Sequence, residues 1–253
     1  MPWPTLLGLV IAANLYLLAT RRLAQRGVRW STLRTLAYAS GIATIAIAMA
    51  PPLATHDEDI RVHVVQHLML GMLGPLLLAL SAPGILFLRV LPPRRRTPVV
   101  RVLHSRGARV FLHPFSAVLL VIGSVYALYL TKLYAATLRS EPLHLVVHLH
   151  MLAAGCLLAW SLVGLDPVPY RPAFRLRSTA LIIAIAAHTV LAKLLYAHAG
   201  SLAGERTSPD TWRQGAQVLF YGGDLVDLAL LTALFAQWYV REGHRAERLR
   251  AAG

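Results

Sequence analysis

The segment LHLVVHLHMLAAGCLLAWSLVG, residues 143–164, decides the fold class of this chain. It contains no Asp, Glu, Lys or Arg. A helix rises about 1.5 Å per residue, so this segment is long enough to cross the roughly 30 Å hydrocarbon core of a bilayer. Because a helix that is apolar on all sides belongs either in a large protein core or in a membrane, the segment predicts a membrane-spanning helix.

The rest of the chain follows the same pattern. Of its 253 residues, 57% are hydrophobic and only 14% are charged, whereas about 25% of the residues in a typical soluble domain are charged. This composition excludes an ordinary soluble enzyme and a disordered chain. We predict an all-α, polytopic membrane protein, a seven-transmembrane-helix bundle that forms one integral membrane domain over residues 1–253. The predicted spans are about 3–20, 33–50, 63–90, 111–131, 143–164, 178–198 and 215–240.

The basic residues indicate how the helices are oriented. The net charge of +14 is of a size also seen in nucleic-acid-binding proteins, but the arginines concentrate in alternate linkers, over residues 21–34, 89–109, 171–177 and 241–250. The other linkers hold only Arg61, Lys132, Arg139, Arg206 and Arg213. Since basic loops stay on the cytoplasmic side, we predict an N-terminus outside, a C-terminus in the cytoplasm, residence in the cytoplasmic membrane, and no nucleic-acid partner.

Histidines concentrate towards the predicted outer ends of the spans. His63 and His67 are four positions apart, as are His144 and His148, so each pair lies on one face of its helix. Met151 continues the face of the second pair. Imidazole and thioether ligands suit copper, above all Cu(I), and imidazole also suits zinc and haem iron.

Each of these side chains also has a structural interpretation. His63 and His144 lie close enough to the membrane surface to contact water and headgroups. Met151 can serve as core filler. His67 and His148 lie deeper, where a polar ring needs a partner.

Two further spans carry polar residues near the predicted membrane centre. His188 lies in the sixth span, and the seventh carries a stripe of four polar residues: Gln214, Gln217, Tyr221 and Asp224. We predict that this stripe faces inward and that Asp224 accepts the spare ring N–H of a liganding His188. A hydrogen bond that merely ties two helices together is the alternative. The predicted polar partners of the metal site are Asp224, Gln66, Gln217 and Asp227.

In order and spacing, these residues resemble the multi-span CtaG-like cytochrome c oxidase assembly factors. The motifs that carry the resemblance are His63-x-x-Gln66-His67, His113-Pro114, His144-x-x-x-His148-x-His150-Met151, Gly164-x-Asp166-Pro167-x-Pro169, His188, and Gln214 to Asp224 with its double glycine. The resemblance implies a role in assembling haem-copper oxidases by supplying copper to the catalytic subunit. The positions that match the family's histidines and its acidic residue are His63, His67, His144, His148, His188 and Asp224.

The leading hypothesis is therefore a copper-handling assembly factor with no turnover chemistry of its own. It would take Cu(I) from an extracytoplasmic donor and pass it to the oxidase. The predicted metal ligands are His63, His67, His144, His148, His188 and Met151. One alternative is a haem-binding electron carrier, with His67 or His148 and His188 as axial ligands. The other is a metal or proton transporter that uses the intramembrane residues His188, Lys193, Asp224 and Asp227.

Overall fold

The computed structural model describes residues 3–56, 58–166, 171–202 and 207–251, and over these ranges the chain is helical, without a strand. The predicted all-α fold is thereby confirmed. Pro167, Pro169 and Arg206, which entered the sequence predictions, lie outside the described residues. The helices are α1 (Trp3–Gln25), α2 (Thr32–Ala48), α3 (Ile60–Leu68), α4 (Gly74–Leu80), α5 (Pro83–Val90), α6 (Pro93–Leu103), α7 (Arg106–Phe111), α8 (Pro114–Leu130), α9 (Leu133–Thr137), α10 (Glu141–Val163), α11 (Phe174–Ala197), α12 (Ala199–Leu202) and α13 (Pro209–Ala251).

In the described part of the chain, six helical stretches are long and apolar enough to cross a membrane. They are Thr5–Gln25, Thr32–Thr55, Ile60–Leu80, Glu141–Val163, Phe174–Ala197 and Pro209–Gly243. Helix α8, over the fourth predicted stretch, is apolar but has 17 residues, which is about 26 Å. Apolar helices of this number and length are typical of a multi-pass membrane protein.

The third predicted stretch, 63–90, is divided in two. A π-helical turn at Met69–Leu73 joins α3 to α4, and this spanning helix ends at Leu80. Ala82 then has a positive φ of 52°, and α5 begins at Pro83. Proline lacks a backbone N–H and disfavours helical geometry in the preceding residue, so α4 cannot continue through this position. The break lets α5 pack against α1.

Helices α1 and α2 lie at the edge of the bundle, whereas the Ile60–Leu80 stretch lies near its centre. Within the most apolar 18 residues of each helical stretch, the buried share is 61% for Ile60–Leu80 but only 17% for α1. Tyr16 connects α1 to its neighbours: its ring stacks on Tyr38 with centroids 3.8 Å apart, and its hydroxyl donates to the Ser81 carbonyl at 3.2 Å. The outward leucines of α1 are exposed, as expected of a helix that faces lipid.

At the end of α10, Asp166 connects separate parts of the chain. Its carboxylate accepts hydrogen bonds from the backbone N–H of Ile85 at 2.7 Å and from Nε1 of Trp160 at 2.9 Å. The buried Arg177 donates to the Leu162 carbonyl at 2.7 Å. A cation suits the last carbonyls of a helix, which have no partner within it. These bonds fix the ends of α5, α10 and α11 relative to one another.

Candidate metal centre

Helices α3 and α10 begin on the same side of the bundle, and each carries a histidine in its first turn. Asp59 caps α3 by accepting from the Arg61 backbone N–H at 2.9 Å. Hydrogen bonds from the Arg61 side chain hold the pKa of Asp59 below its usual range, so the cap stays ionised at neutral pH. Ser140 caps α10. Because each histidine lies in the first turn after its cap, the starts of α3 and α10 fix how far His63 and His144 lie from this end of the bundle.

The first group of site residues is the histidine triad, which comprises His63, His144 and His148. One ligand nitrogen from each ring lies within 4.8 Å of the other two. The Nε2 atoms of His144 and His148 are 3.2 Å apart, and the His63 ring centroid is 5.9 Å from each of their centroids. His63 is completely buried, and neither of its ring nitrogens has a hydrogen-bond partner among the described residues.

Two tyrosines that the sequence reasoning missed form an aromatic wall beside the triad. The Tyr134 ring meets His63 edge-on with centroids 4.8 Å apart, and Tyr129 lies 5.9 Å away at an interplanar angle of 89°. Met151 is buried in the same apolar cluster as both tyrosines. A tyrosine at the end of an apolar stretch is too common at membrane surfaces to signal a site, which is why spacing alone did not find them.

The second group, the deep cluster, comprises His67, His188 and Asp227. All three line one cavity of about 30 Å³, and each is at most 5% exposed. The His67 and His188 centroids are 6.4 Å apart with ring planes inclined by 13°. The buried atoms His67 Nδ1, His188 Nε2 and Asp227 Oδ2 have no hydrogen-bond partner in the described structure. The five predicted histidines are thus divided between two neighbouring groups.

The polar stripe on α13 does not face inward, so that prediction is wrong. Its residues are exposed in this chain: Gln214, Gln217, Tyr221 and Asp224. Helix α13 instead buries the face that carries Leu219, Gly223, Val226 and Leu230, because the absence of a side chain at Gly223 lets α11 approach closely. Asp227, next to Val226, turns inward with this face.

The predicted polar partners of the metal site are therefore placed differently from the prediction. Asp224 has no hydrogen bond to His188 among the described residues, and Asp227 is the carboxylate that shares a cavity with this histidine. Gln66 is buried, but its Nε2 donates to the Ala48 carbonyl at 2.9 Å. Gln66 thus ties α3 to α2.

Comparison with known proteins adds a family to this geometry. A family model described as cytochrome c oxidase caa3 assembly factor (Caa3_CtaG) matches residues 14–241. Uncharacterized proteins of Mycobacterium bovis and Mycobacterium tuberculosis are each 32% identical over 172 residues, which is 65% of this chain and 26% of theirs. An uncharacterized protein of Mycobacterium leprae is 26% identical over 242 residues, 88% of this chain and 37% of its own. The chain thus spans little more than a third, at most, of the curated relatives it matches. No solved structure matches it.

Proposed function

The chain belongs to the cytochrome c oxidase caa3 assembly factor family, and we propose that it serves assembly as a copper chaperone whose cargo site is the histidine triad. Copper is the substrate here: the protein holds the ion, passes it on and performs no turnover chemistry. The partners we propose are an extracytoplasmic copper donor and the catalytic subunit of a haem-copper oxidase.

The observation that carries the proposal is the state of His63. A buried polar atom without a partner costs roughly 1–3 kcal/mol, and His63 has two of them while facing two further imidazoles. A cation shared by the three rings would satisfy one of these nitrogens. Imidazole is a good ligand for copper, and a site with few ligands suits an ion that must be released again.

The proposed membrane topology would place the triad where a copper donor can reach it. We propose seven spans, with α8 as the fourth, in the cytoplasmic membrane. A helix about 4 Å shorter than the hydrocarbon layer is accommodated by local thinning of the bilayer. Arginine-rich linkers on the cytoplasmic side give an outside N-terminus and a cytoplasmic C-terminus. The first turns of α3 and α10, and with them the triad, then lie near the outer surface.

The size of the cavity favours copper over haem. The cavity beside His67 and His188 measures about 30 Å³, whereas pockets for drug-sized molecules measure roughly 300–1,000 Å³. A single ion fits this space, and a porphyrin does not.

A copper titration of the purified protein tests the proposal. Anaerobic competition between the detergent-solubilised protein and a Cu(I) chelator gives the number of ions bound per chain. We expect the double variant His144→Gln/His148→Gln to bind at least one ion fewer than the wild type. His150→Gln is the matched control, because His150 is exposed on the same helix, and it should bind as the wild type does.

The same variants test the role in the cell. In a strain that lacks the protein, the control variant should restore the copper content of the oxidase, and the double variant should not. The proposal fails if the double variant binds as much copper as the wild type with the same affinity.

A further inference from the structure

We propose that the deep cluster is a second copper station, which receives the ion from the histidine triad and holds it further inside the bundle. The identity of the ion rests on the proposed function; the site itself rests on His67, His188 and Asp227. The protein would then carry two ions, one in the triad and one in the deep cluster.

The first support is the construction of the deep cluster. Its three side chains come from different helices, α3, α11 and α13, and converge on one cavity. Each contributes a buried nitrogen or oxygen without a hydrogen-bond partner in the described structure. Buried polar groups are normally paired, so three unpaired atoms on side chains that line one cavity indicate a missing ligand. Two imidazoles and a carboxylate are donors that bind transition metals.

The second support is the distance between the rings. Two imidazoles that share one ion through nearly collinear N–metal bonds of about 2.0 Å have ring centroids roughly 6 Å apart. The His148–His63 and His67–His188 centroid distances are 5.9 Å and 6.4 Å. His63 and His67 are four positions apart on α3, where side chains are neighbours at about 5–6 Å. In this proposal the ion passes from the triad to the deep cluster along α3, from His63 to His67.

The third support is charge. Imidazole ligands carry no formal negative charge, so the three rings of the triad do not themselves neutralise a bound Cu(I) ion. The deep cluster adds the buried carboxylate of Asp227. An ion in apolar surroundings is far more stable when a counter-charge lies beside it. Asp166, the other buried carboxylate of the described chain, is already engaged by Ile85 and Trp160. Asp227 thus favours movement of the ion from the triad to the deep cluster.

Glycines let the backbone approach closely around the cavity. Gly71, in the π-helical turn, and Gly155 both line the cavity, and the Gly71 carbonyl lies directly against Gly155. The His188 ring rests on Gly223. π-Helical turns are rare and occur frequently at functional sites. A methyl group at Gly223 would displace His188, and one at Gly155 would overlap the Gly71 carbonyl.

The test is the number of Cu(I) ions bound by the full chain, measured by chelator competition and metal analysis after size exclusion. The wild type should bind two ions. His188→Gln and Asp227→Asn should each bind only one ion tightly. Their affinity for an ion in the deep cluster should be at least tenfold lower than that of the wild type. His198→Gln, directly after α11, and Asp210→Asn, on α13, are matched controls at exposed positions, and both should bind two ions.

The triad variant His144→Gln/His148→Gln separates this proposal from the proposed function. It should still bind one ion, but load it at least tenfold more slowly, because the triad is the entry point. Suppose instead that the wild type binds only one ion, that the triad variant loses this ion, and that both deep-cluster variants keep it. This result overturns the second copper site and leaves the proposed function intact. A wild type that binds no copper overturns both. Size-exclusion elution identifies a variant that has not folded, and either deep-cluster variant is sufficient for the test.

Discussion

Replacing Gly223 by alanine should displace a predicted copper ligand without removing or replacing any polar side chain. A Cβ built at this position overlaps Cε1 of His188 and lies 2.6 Å from its Nδ1. At Gly222, the preceding residue, the added Cβ meets only the end of the flexible Leu68 side chain, at 2.5 Å. The two alanine variants therefore form a matched pair within one helix.

The size of the effect follows from these contacts. Both substitutions gain up to about 1 kcal/mol of helix propensity, so this contribution cancels in the comparison. The closest contact is the overlap with Cε1 of His188, so restoring a contact of about 3.5 Å requires the ring to move by about 1.4 Å. Metal–ligand distances tolerate only about 0.2 Å. Overpacking costs typically 1–3 kcal/mol, so Gly223→Ala should be less stable than Gly222→Ala by about that amount.

The assay has two measurements. Thermal unfolding in detergent, followed by helical circular dichroism, should give Gly223→Ala the lower midpoint, by roughly 2–4 °C per kcal/mol of difference. Chelator competition should show at least tenfold weaker binding of the second Cu(I) ion in Gly223→Ala than in Gly222→Ala.

Equal behaviour of the two variants would refute this reasoning. If they unfold at the same temperature and bind the second ion equally, His188 is not held against Gly223 in the folded protein, and its position in the deep cluster is wrong. A lower midpoint with unchanged copper binding would keep the packing and reject His188 as a ligand.

Three further substitutions test other parts of the structure. Asp166→Asn weakens charge-assisted hydrogen bonds and should destabilise the protein by about 1–3 kcal/mol in thermal unfolding, whereas Asp210→Asn, at an exposed position, should change stability by less than about 0.5 kcal/mol. Gly155→Ala should lower stability by about 1–3 kcal/mol, because the methyl group overlaps a backbone carbonyl that cannot rotate away; an unchanged midpoint would contradict this helix contact. Gln66→Leu should destabilise the protein by about 1 kcal/mol yet leave the copper stoichiometry unchanged, since its amide bonds to α2; loss of an ion would make it a site residue.

The sequence was a good guide to the histidines because their arrangement is local. An i, i+4 spacing puts two side chains on one helix face whatever the helix packs against. This local rule predicted the His144–His148 pair, whose Nε2 atoms are 3.2 Å apart. It predicted equally that His63 and His67 follow one another along α3. How these pairs are distributed between two clusters depends on α11 and α13, and no local rule covers that.

The seventh span shows where the sequence reasoning failed. A polar stripe in a membrane helix is expected to face the bundle interior, which favoured Asp224 over Asp227. The packing of α13 is instead governed by small and apolar residues, with the close approach of α11 at Gly223. Asp224 and Asp227 are three residues apart and therefore only about 60° apart around the helix axis, so a modest rotation of α13 exchanges one buried carboxylate for the other.

The amino-acid sequence by itself determined that this chain is helical and membrane-bound, since apolar length and charge distribution act on each segment separately. It also determined which residue types were available to bind copper and their order along each helix. Only the tertiary structure decided how each helix is rotated about its own axis. That rotation is set by close contacts between segments distant in sequence, such as His188 with Gly223 and Gly71 with Gly155. These contacts fix which residues enter each group, and they make Asp227 the carboxylate that shares a cavity with His188.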